Sequence, residues 1–257
     1  MKETTQPSRQ LELYISSAHD CDYLKGKQSQ SVFISPNVTV TPGIYEYLIA
    51  VGFRRSGAYA YRPHCSTCRA CISCRINVHH FKASKSQKRL INKNKELTFS
   101  AVKAEFSEEH YELYLRYQRF KHPAGSMENF TEKDYKTFLC ESFGNTLMYE
   151  TRLGDRLVAL AVTDIFSQAL SAVYTFFDPD YSSRSLGTYS ILQQIKIAKE
   201  TKKTHLYLGY YIKNSVKMSY KSKFRPLELL IEGDWHAYQK DDLLPEQSAS
   251  LDFPLTF

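Results

Sequence analysis

The chain has 257 residues, of which 42% are hydrophobic and 24% charged, and its formal net charge is +7. This composition excludes a wholly disordered chain, and the length suffices for one large domain or two smaller ones. No apolar run approaches the roughly 18–20 residues of a membrane span, and the polar N-terminus lacks the apolar core of a signal peptide. We therefore expect a cytoplasmic protein with no membrane partner, and nothing in the sequence demands a second chain, so we expect a monomer.

Positive charge is concentrated in the first part of the chain. Residues 1–100 carry a net charge of +9, whereas residues 101–257 carry −2. Between Tyr47 and Lys95 there are 11 basic residues and no acidic one. Such an excess favours a polyanionic partner, of which nucleic acid is the commonest, over a basic surface that contacts only solvent.

Hydrophobic periodicity, capping residues and turn residues predict the elements in chain order. They are a helix over 44–51, a hairpin over 53–62, a strand over 74–79, a basic helix that Ser84 or Ser86 caps and that extends to Lys95, a strand over 97–104, helices over 108–120 and 131–143, strands over 146–151, 157–166 and 170–177, a helix over 190–201 and a strand over 205–209. From residue 97 onward this order is that of an acyltransferase-type mixed sheet, although propensity alone leaves other α/β folds open.

Four of the six cysteines form a run with a spacing of three: Cys65, Cys68, Cys71 and Cys74. Structural zinc sites usually combine two CxxC pairs separated by a dozen or more residues, whereas a contiguous run surrounds one object, as in iron–sulfur ligation. Cys21 and Cys74 are alternative fourth ligands. Reduced thiols without a metal are the other interpretation, which the regular spacing disfavours for Cys65, Cys68 and Cys71. Cys140, in an apolar helix, is predicted to be a small buried hydrophobe.

Several longer motifs occur along the chain. They are GFRRSG at 52–57, YRPHCSTCRAC at 61–71, SKSQKR at 84–89, SAVYTFFDP at 171–179, SLGT at 185–188, LYLGY at 206–210, KMSYK at 217–221 and FRP at 224–226. In these motifs, and in their order, the chain resembles the arginyl-tRNA–protein transferase family, and its bacterial branch most of all.

The resemblance implies an enzyme that transfers an amino acid from an aminoacyl-tRNA to the α-amino group of a protein. In the bacterial branch the donor is Leu-tRNA, the acceptor begins with Asp or Glu, and the product's N-terminal leucine directs it to degradation by the N-degron pathway. The implied fold is α+β, with a GNAT-like acyltransferase domain containing a mixed sheet over residues 101–257. A smaller, basic, cysteine-containing domain over residues 1–100 precedes it.

In some members of the family the N-terminal cysteines bind a metal or an iron–sulfur centre. The matching positions here are Cys21, Cys65, Cys68 and Cys71, and Cys74 ranks below Cys21 as the fourth ligand. The reaction itself requires no cofactor, because aminolysis of an already activated ester needs only positioning, deprotonation of an ammonium group and stabilisation of an oxyanion.

Candidate catalytic residues lie on and after the strand predicted over 170–177. Asp178 is the first candidate for general base or amine anchor, and Tyr174 is a candidate proton relay. The alternatives are that Asp178 only caps the turn before Pro179 and that Tyr174 only packs in the sheet. A loop containing Arg184 and Gly187 follows, and amides at the start of the next helix would receive the 3′ end of the tRNA.

Cationic side chains are required to bind an acidic acceptor and to hold the tRNA. The candidates for the acceptor are Arg116, His122, Lys221 and Arg225, each of which is alternatively a surface salt bridge. The candidates for phosphate contacts with the tRNA body are Arg54, Arg55, Arg62, Lys85, Lys88 and Arg89. The competing functional hypotheses are the same transfer from Arg-tRNA, a non-catalytic metal-containing RNA-binding protein, and an acetyl-CoA-dependent transferase.

Overall fold

The computed structural model describes residues 11–123, 125 and 127–248, so the outer ends of the two predicted domains, 1–10 and 249–257, lie outside the described residues. The described residues form a mixed α/β structure. Within them, no helix combines the length and the apolar character that crossing a membrane would require.

Fourteen strands are present in the described residues. In chain order they are β1 (Leu13–Ile15), β2 (His19–Asp20), β3 (Gln28–Ser29), β4 (Ser31–Ile34), β5 (Arg54–Ser56), β6 (Tyr59–Pro63), β7 (Ile72–Asn77), β8 (Thr98–Lys103), β9 (Thr146–Leu153), β10 (Arg156–Ile165), β11 (Ala169–Phe177), β12 (His205–Tyr211), β13 (Leu227–Ile231) and β14 (Asp234–Tyr238).

Five α-helices accompany these strands in the same part of the chain. They are α1 (Pro42–Ala50), α2 (Lys85–Lys93), α3 (Glu108–Lys121), α4 (Glu132–Tyr135), which continues as a π-helical turn over Lys136–Cys140, and α5 (Leu186–Glu200). Short 3-10 turns cover Pro179–Arg184 and Ser219–Lys223. Each predicted helix and strand is therefore confirmed in type, with shifted ends.

Local capping explains where two of the helices begin. The Thr41 hydroxyl accepts a hydrogen bond from the backbone N–H of Ile44, and α1 starts between them. Ser84, rather than Ser86, caps α2, because its hydroxyl and the side chain of Gln87 exchange hydrogen bonds with each other's backbone N–H. Such reciprocal pairs satisfy donors that a helix start leaves unpaired.

The main sheet has eight strands in the order β14-β13-β7-β12-β11-β10-β9-β8. Its strand pairs are antiparallel except for β11 with β12, which makes the predicted mixed sheet correct. β7 and β8 precede residue 101, and both lie in this sheet. The division of the chain at residue 100 stays a prediction, and the sheet itself extends across that position.

The parallel strands β11 and β12 pair over only three residues each, Ala169–Ser171 with His205–Tyr207. Beyond these pairs, β11 continues along β10 as far as Phe177, and β12 continues along β7 as far as Tyr211. The two strands therefore separate towards their carboxyl ends. The result is a gap in the middle of the sheet. On one side it is bounded by β11, which stays paired with β10, and on the other by β12, which stays paired with β7.

Helices α3 and α5 cover opposite faces of the sheet beside this gap. On β10, Leu160 belongs to the core cluster of α3, which contains Tyr114 and Phe176. The adjacent residue of β10, Ala159, belongs to the cluster that contains Leu186 and Tyr189 of α5. Because adjacent strand residues point to opposite faces, both helices bury apolar surface against the same strands.

A second sheet, in the order β1-β4-β6-β5, packs with α1 against one end of the main sheet. Ala169 and Tyr207 of the main sheet, and Phe166 in the turn between β10 and β11, belong to its core cluster. The hairpin between β5 and β6 turns at Gly57, whose φ is +57° and where a Cβ atom would lie 2.3 Å from the Thr137 carbonyl oxygen. A side chain is excluded there both by the backbone conformation and by the contact.

A buried ion pair connects the two sheets. The Arg55 guanidinium donates from Nε and Nη2 to the two carboxylate oxygens of Asp164 on β10, both at 2.8 Å. Tyr45 of α1 and Thr146 of β9 donate their hydroxyl protons to the same carboxylate, at 3.0 and 2.7 Å. Both charged side chains are almost fully buried, so the pairing offsets the cost of removing each charge from water.

Replacing Arg55 with Met is expected to lower the free energy of unfolding by about 3–5 kcal/mol, because the Asp164 carboxylate would be left buried without its cation. Urea denaturation measures the change. Lys136→Met is the matched control, since Lys136 forms an exposed pair with Glu132 and its loss should cost less than about 1 kcal/mol. Equal effects of the two substitutions would contradict this account of the ion pair.

Candidate active site

Tyr174 lies on β11 at the wall of the gap. Its hydroxyl oxygen accepts a hydrogen bond from Nε2 of Gln118 on α3 at 2.8 Å, and its ring packs against Phe138 and Tyr114. Burial raises the pKa of Tyr174, so its hydroxyl keeps its proton at neutral pH. Within the described residues that proton has no acceptor, so the hydroxyl is available as a donor.

Gln118 is a polar residue that the sequence analysis missed. Its side chain is fully buried, and its Oε1 atom has no hydrogen-bond partner in the described residues. A recognisable signal was present, because Gln118 continues the buried face of α3 that includes Leu113, Tyr114 and Tyr117. A glutamine in such an apolar stripe indicates a buried polar contact.

Asp178 follows the last residue of β11 and is completely buried. Its Oδ1 accepts a short hydrogen bond from Arg116, and its Oδ2 accepts one from Nη2 of Arg156 at 2.9 Å. Oδ1 also accepts from the backbone N–H of Asp180 at 3.1 Å, which caps the turn that leads to α5. Both carboxylate oxygens are therefore engaged, and in this arrangement Asp178 anchors the turn rather than offering a free base.

Arg156 is a second residue that the sequence analysis missed. It follows the tight turn between β9 and β10, and its guanidinium lies 5.2 Å from the centre of the Tyr181 ring as well as on Asp178. Nothing local in the sequence indicates this role, because Asp178 and Arg156 meet only through the pairing of β10 with β11.

The start of α5 lies beside Phe177, the last residue of β11. Ser185 has a φ of +50°, and a Cβ atom at Gly187 would lie 4.0 Å from the Phe177 ring. The first-turn amides of a helix have no partner within the helix and favour an anion. Arg184, the other residue predicted here, pairs with Glu96 at 2.7 Å and so is held away from these amides by its own ion pair.

Of the four cations predicted to bind an acidic acceptor, three are engaged inside the protein. Arg116 pairs with Asp178 and, at 3.4 Å, with Asp180. Arg225 donates to backbone carbonyl oxygens, including those of Ser222 and Gln239.

Lys221 is the third of these engaged cations and is 3% exposed. It donates to the Tyr210 carbonyl oxygen at 2.6 Å. Burial lowers the pKa of Lys221 to about 8.

His122, the fourth of these cations, ends α3 and is half-buried. Its ring meets the Tyr117 ring edge-on at 6.0 Å, and Tyr117 in turn contacts Phe177 at 5.0 Å between ring centres. His122 therefore lies close to the carboxyl end of β11. Its pKa is below the ordinary value because of burial and, next, because of the positive charges of Lys217 and Lys121.

The residues predicted to contact tRNA phosphates divide into two groups. Arg54, Arg55 and Arg62 are buried or half-buried and donate to groups within the protein, Arg54 to the Phe53 carbonyl oxygen and Arg62 to that of Val51. These contacts within the protein indicate a structural role for the three arginines. The remaining three, Lys85, Lys88 and Arg89, are exposed on α2.

The four predicted metal ligands line one cavity of about 430 Å³: Cys21, Cys65, Cys68 and Cys71. Burial, followed by the nearby Cys65, Cys21 and Cys68, raises the pKa of Cys71 to about 12. Cys74, the rival fourth ligand, is instead fully buried in the core of the main sheet. Cys140 is half-buried and packs against the core cluster of α3.

Comparison with known proteins identifies relatives over almost the whole chain. Residues 19–89 match the model of the family described as "Arginine-tRNA-protein transferase, N terminus", and residues 109–231 match that of its C terminus. An aspartate/glutamate leucyltransferase of Chromohalobacter salexigens is 43% identical over 233 residues, which cover 90% of this chain and 94% of the relative. One from Pseudomonas fluorescens is 43% identical over 225 residues, covering 88% and 96%.

Among solved structures, L-PGS from Bacillus licheniformis aligns with a TM-score of 0.44 and 16% identity, over 69% of this chain and 62% of that one.

Proposed function

This chain belongs to the arginine-tRNA–protein transferase family, and from that membership we propose that it transfers leucine from Leu-tRNA to the N-terminal Asp or Glu of acceptor proteins. The observation that carries the proposal is the 43% sequence identity, over about nine-tenths of this chain, to aspartate/glutamate leucyltransferases. The product would carry an N-terminal leucine, which marks it for degradation by the N-degron pathway. The reaction would take place in the cytoplasm, where aminoacyl-tRNA is made.

The chemistry is attack of an α-amine on the ester that links leucine to the terminal ribose of the tRNA. The new amide bond forms as the ester bond breaks. The ammonium of the acceptor loses two protons: one is released when the amine becomes a nucleophile, and one is taken up by the departing ribose oxygen, which becomes a hydroxyl. Because the ester is already activated, the protein must mainly align the two substrates and move these protons.

We assign the reaction to the gap between β11 and β12, in a domain that we propose to be GNAT-like. The amides of the first turn of α5, around Gly187, would receive the 3′ end of the tRNA. Tyr174 would donate its proton to the leaving ribose oxygen, which fits a hydroxyl that accepts from Gln118 and has its own hydrogen free. Asp178 would position the turn before α5.

The tRNA body would lie along α2, where Lys85, Lys88 and Arg89 are exposed together. Such contacts to phosphates are independent of sequence and sensitive to salt. Arg54 and Arg55 lie inside the protein and would act on the tRNA only indirectly, by holding the structure that carries the site.

The cysteine cavity is suited to a thiolate-bound group, because sulfur is the donor that zinc and iron–sulfur clusters both accept. No group of three ligating side chains in the described residues is arranged to hold a metal ion. The proposal rests on the contiguous spacing of Cys65, Cys68 and Cys71, which is typical of a run that surrounds one cluster. We therefore propose an iron–sulfur cluster on Cys21, Cys65, Cys68 and Cys71, with zinc as the alternative.

The transfer itself is tested with purified protein, labelled Leu-tRNA and a peptide that begins with Asp. Label is expected to join the peptide, and parallel reactions with Arg-tRNA and acetyl-CoA identify the donor. Transfer from Arg-tRNA instead of Leu-tRNA would overturn the choice of donor. Acetylation without transfer from either tRNA, or binding of tRNA without any reaction, would overturn the proposed function.

Asp178→Ala is expected to raise KM for Leu-tRNA about tenfold, because the turn that presents the α5 amides would lose its anchor. Asp180→Ala is the matched control, since Asp180 is exposed and contacts the same arginines at longer distances. Steady-state kinetics separates the two possible roles. A fall in kcat with KM unchanged would show that Asp178 acts instead as the general base.

Protein prepared without oxygen is expected to contain iron and sulfide and to absorb visible light. Cys71→Ser should lose the iron, whereas Cys74→Ser should keep it, because Cys74 lies in the sheet core outside the cavity. Elemental analysis and absorbance spectra measure both. A colourless sample with stoichiometric zinc would contradict the cluster, and an active, metal-free protein would contradict any bound metal.

A further inference from the structure

A cavity of about 560 Å³ lies at the carboxyl end of β12 and adjoins the cysteine cavity, with which it shares Asp22, Tyr23, Leu24, Lys27 and Cys68. One wall is the segment that follows β12, with Asn214, Ser215 and Lys217. The rest of the lining is formed by residues 22–25 and 27, by Thr67, Cys68 and Ala70, and by Glu246 and Gln247. Its volume is within the range of small-ligand pockets.

The cavity lies beyond the carboxyl end of β12, at the same edge of the sheet as the carboxyl end of the parallel strand β11. A chain of aromatic contacts leads from the end of β11 to His122. Phe177, which ends β11, packs on Tyr117, and Tyr117 packs on His122. Lys217 is close enough to His122 for its charge to lower the pKa of the imidazole.

Lys217 forms no ion pair with a carboxylate within the described residues, although Asp22 and Glu246 line the same cavity together with Lys25 and Lys27. Its neighbour Lys213 pairs with Glu246 at 2.9 Å, which neutralises an acidic residue of the same cavity wall. The Lys217 side chain is exposed, so its charge stays in contact with water at the cavity. The buried Lys221, by contrast, has its charge removed from water, which lowers its pKa.

We propose that Lys217, with His122 beside it, binds the side-chain carboxylate of the acceptor's N-terminal Asp or Glu, an assignment that rests on the proposed function. Lys217 then takes the place of Arg116, Lys221 and Arg225 as the acceptor-binding cation. The flexible four-carbon stem of a lysine suits two carboxylates that differ by one methylene. An arginine fork held by internal partners, such as Arg116, could not adjust in this way. The bound carboxylate places the α-amine towards the gap, where the ester lies.

The test compares peptides that begin with Asp and with Asn, which have the same shape and differ in charge. Lys217→Met is expected to lower kcat/KM for the Asp peptide about 10- to 100-fold, as loss of a charge-assisted hydrogen bond would. The value for the Asn peptide and KM for Leu-tRNA should be unchanged. Lys217→Arg should retain most of the preference for Asp, and Lys133→Met, an exposed lysine on α4, should have no effect.

The ratio of kcat/KM for the two peptides is the deciding quantity, because a misfolded variant would lose both reactions equally. An Asp-to-Asn ratio in Lys217→Met equal to that of the wild type overturns the assignment, as does an equal loss with both peptides. Wild-type protein that transfers leucine to neither peptide overturns the proposed function itself. The two failures are therefore distinguished by the wild-type reaction.

Discussion

The short pairing of β11 with β12 is the constraint on which the site depends. Three residues of each strand are joined, and each strand is then held by its other neighbour, β10 or β7. The gap therefore stays open without a loose edge, and the backbone groups that border it have no partner strand across it. Tyr174 and Asp178 lie on one side of it, and α3 and α5 fix it from opposite faces.

The basic residues of the first part of the chain fall into two groups: arginines that bind groups inside the protein, and cations that are exposed to solvent. Arg54 donates to Ser73 at 2.6 Å and to the Gly209 carbonyl oxygen at 3.2 Å, and Arg55 binds Asp164, so both connect the small sheet to the main one. The net charge of that part therefore overstates what is available to RNA. The cations that remain for a polyanion are concentrated on α2, whose exposed face carries Lys85, Lys88 and Arg89.

Periodicity predicted the helices and most strands of the main sheet, because those elements bury one regular face. The strands that it missed are short, such as β4 before α1, or follow a chain reversal, such as β13 and β14. Residue type predicted Asp178 and Tyr174, yet their roles depend on Arg156 and Gln118, which reach them only in the folded chain. Likewise, Lys221 and Arg225 are cations whose burial and carbonyl partners no local pattern shows.

The position of β7 has a consequence for how the protein forms during synthesis. This strand, Ile72–Asn77, lies between β12 and β13, which are made more than a hundred residues later. When it leaves the ribosome, both of its edges lack partners, and sheets with such distant pairings close slowly. β7 therefore cannot complete its pairing until nearly the whole chain has been translated, and an apolar strand with unpaired edges is prone to aggregation for that time.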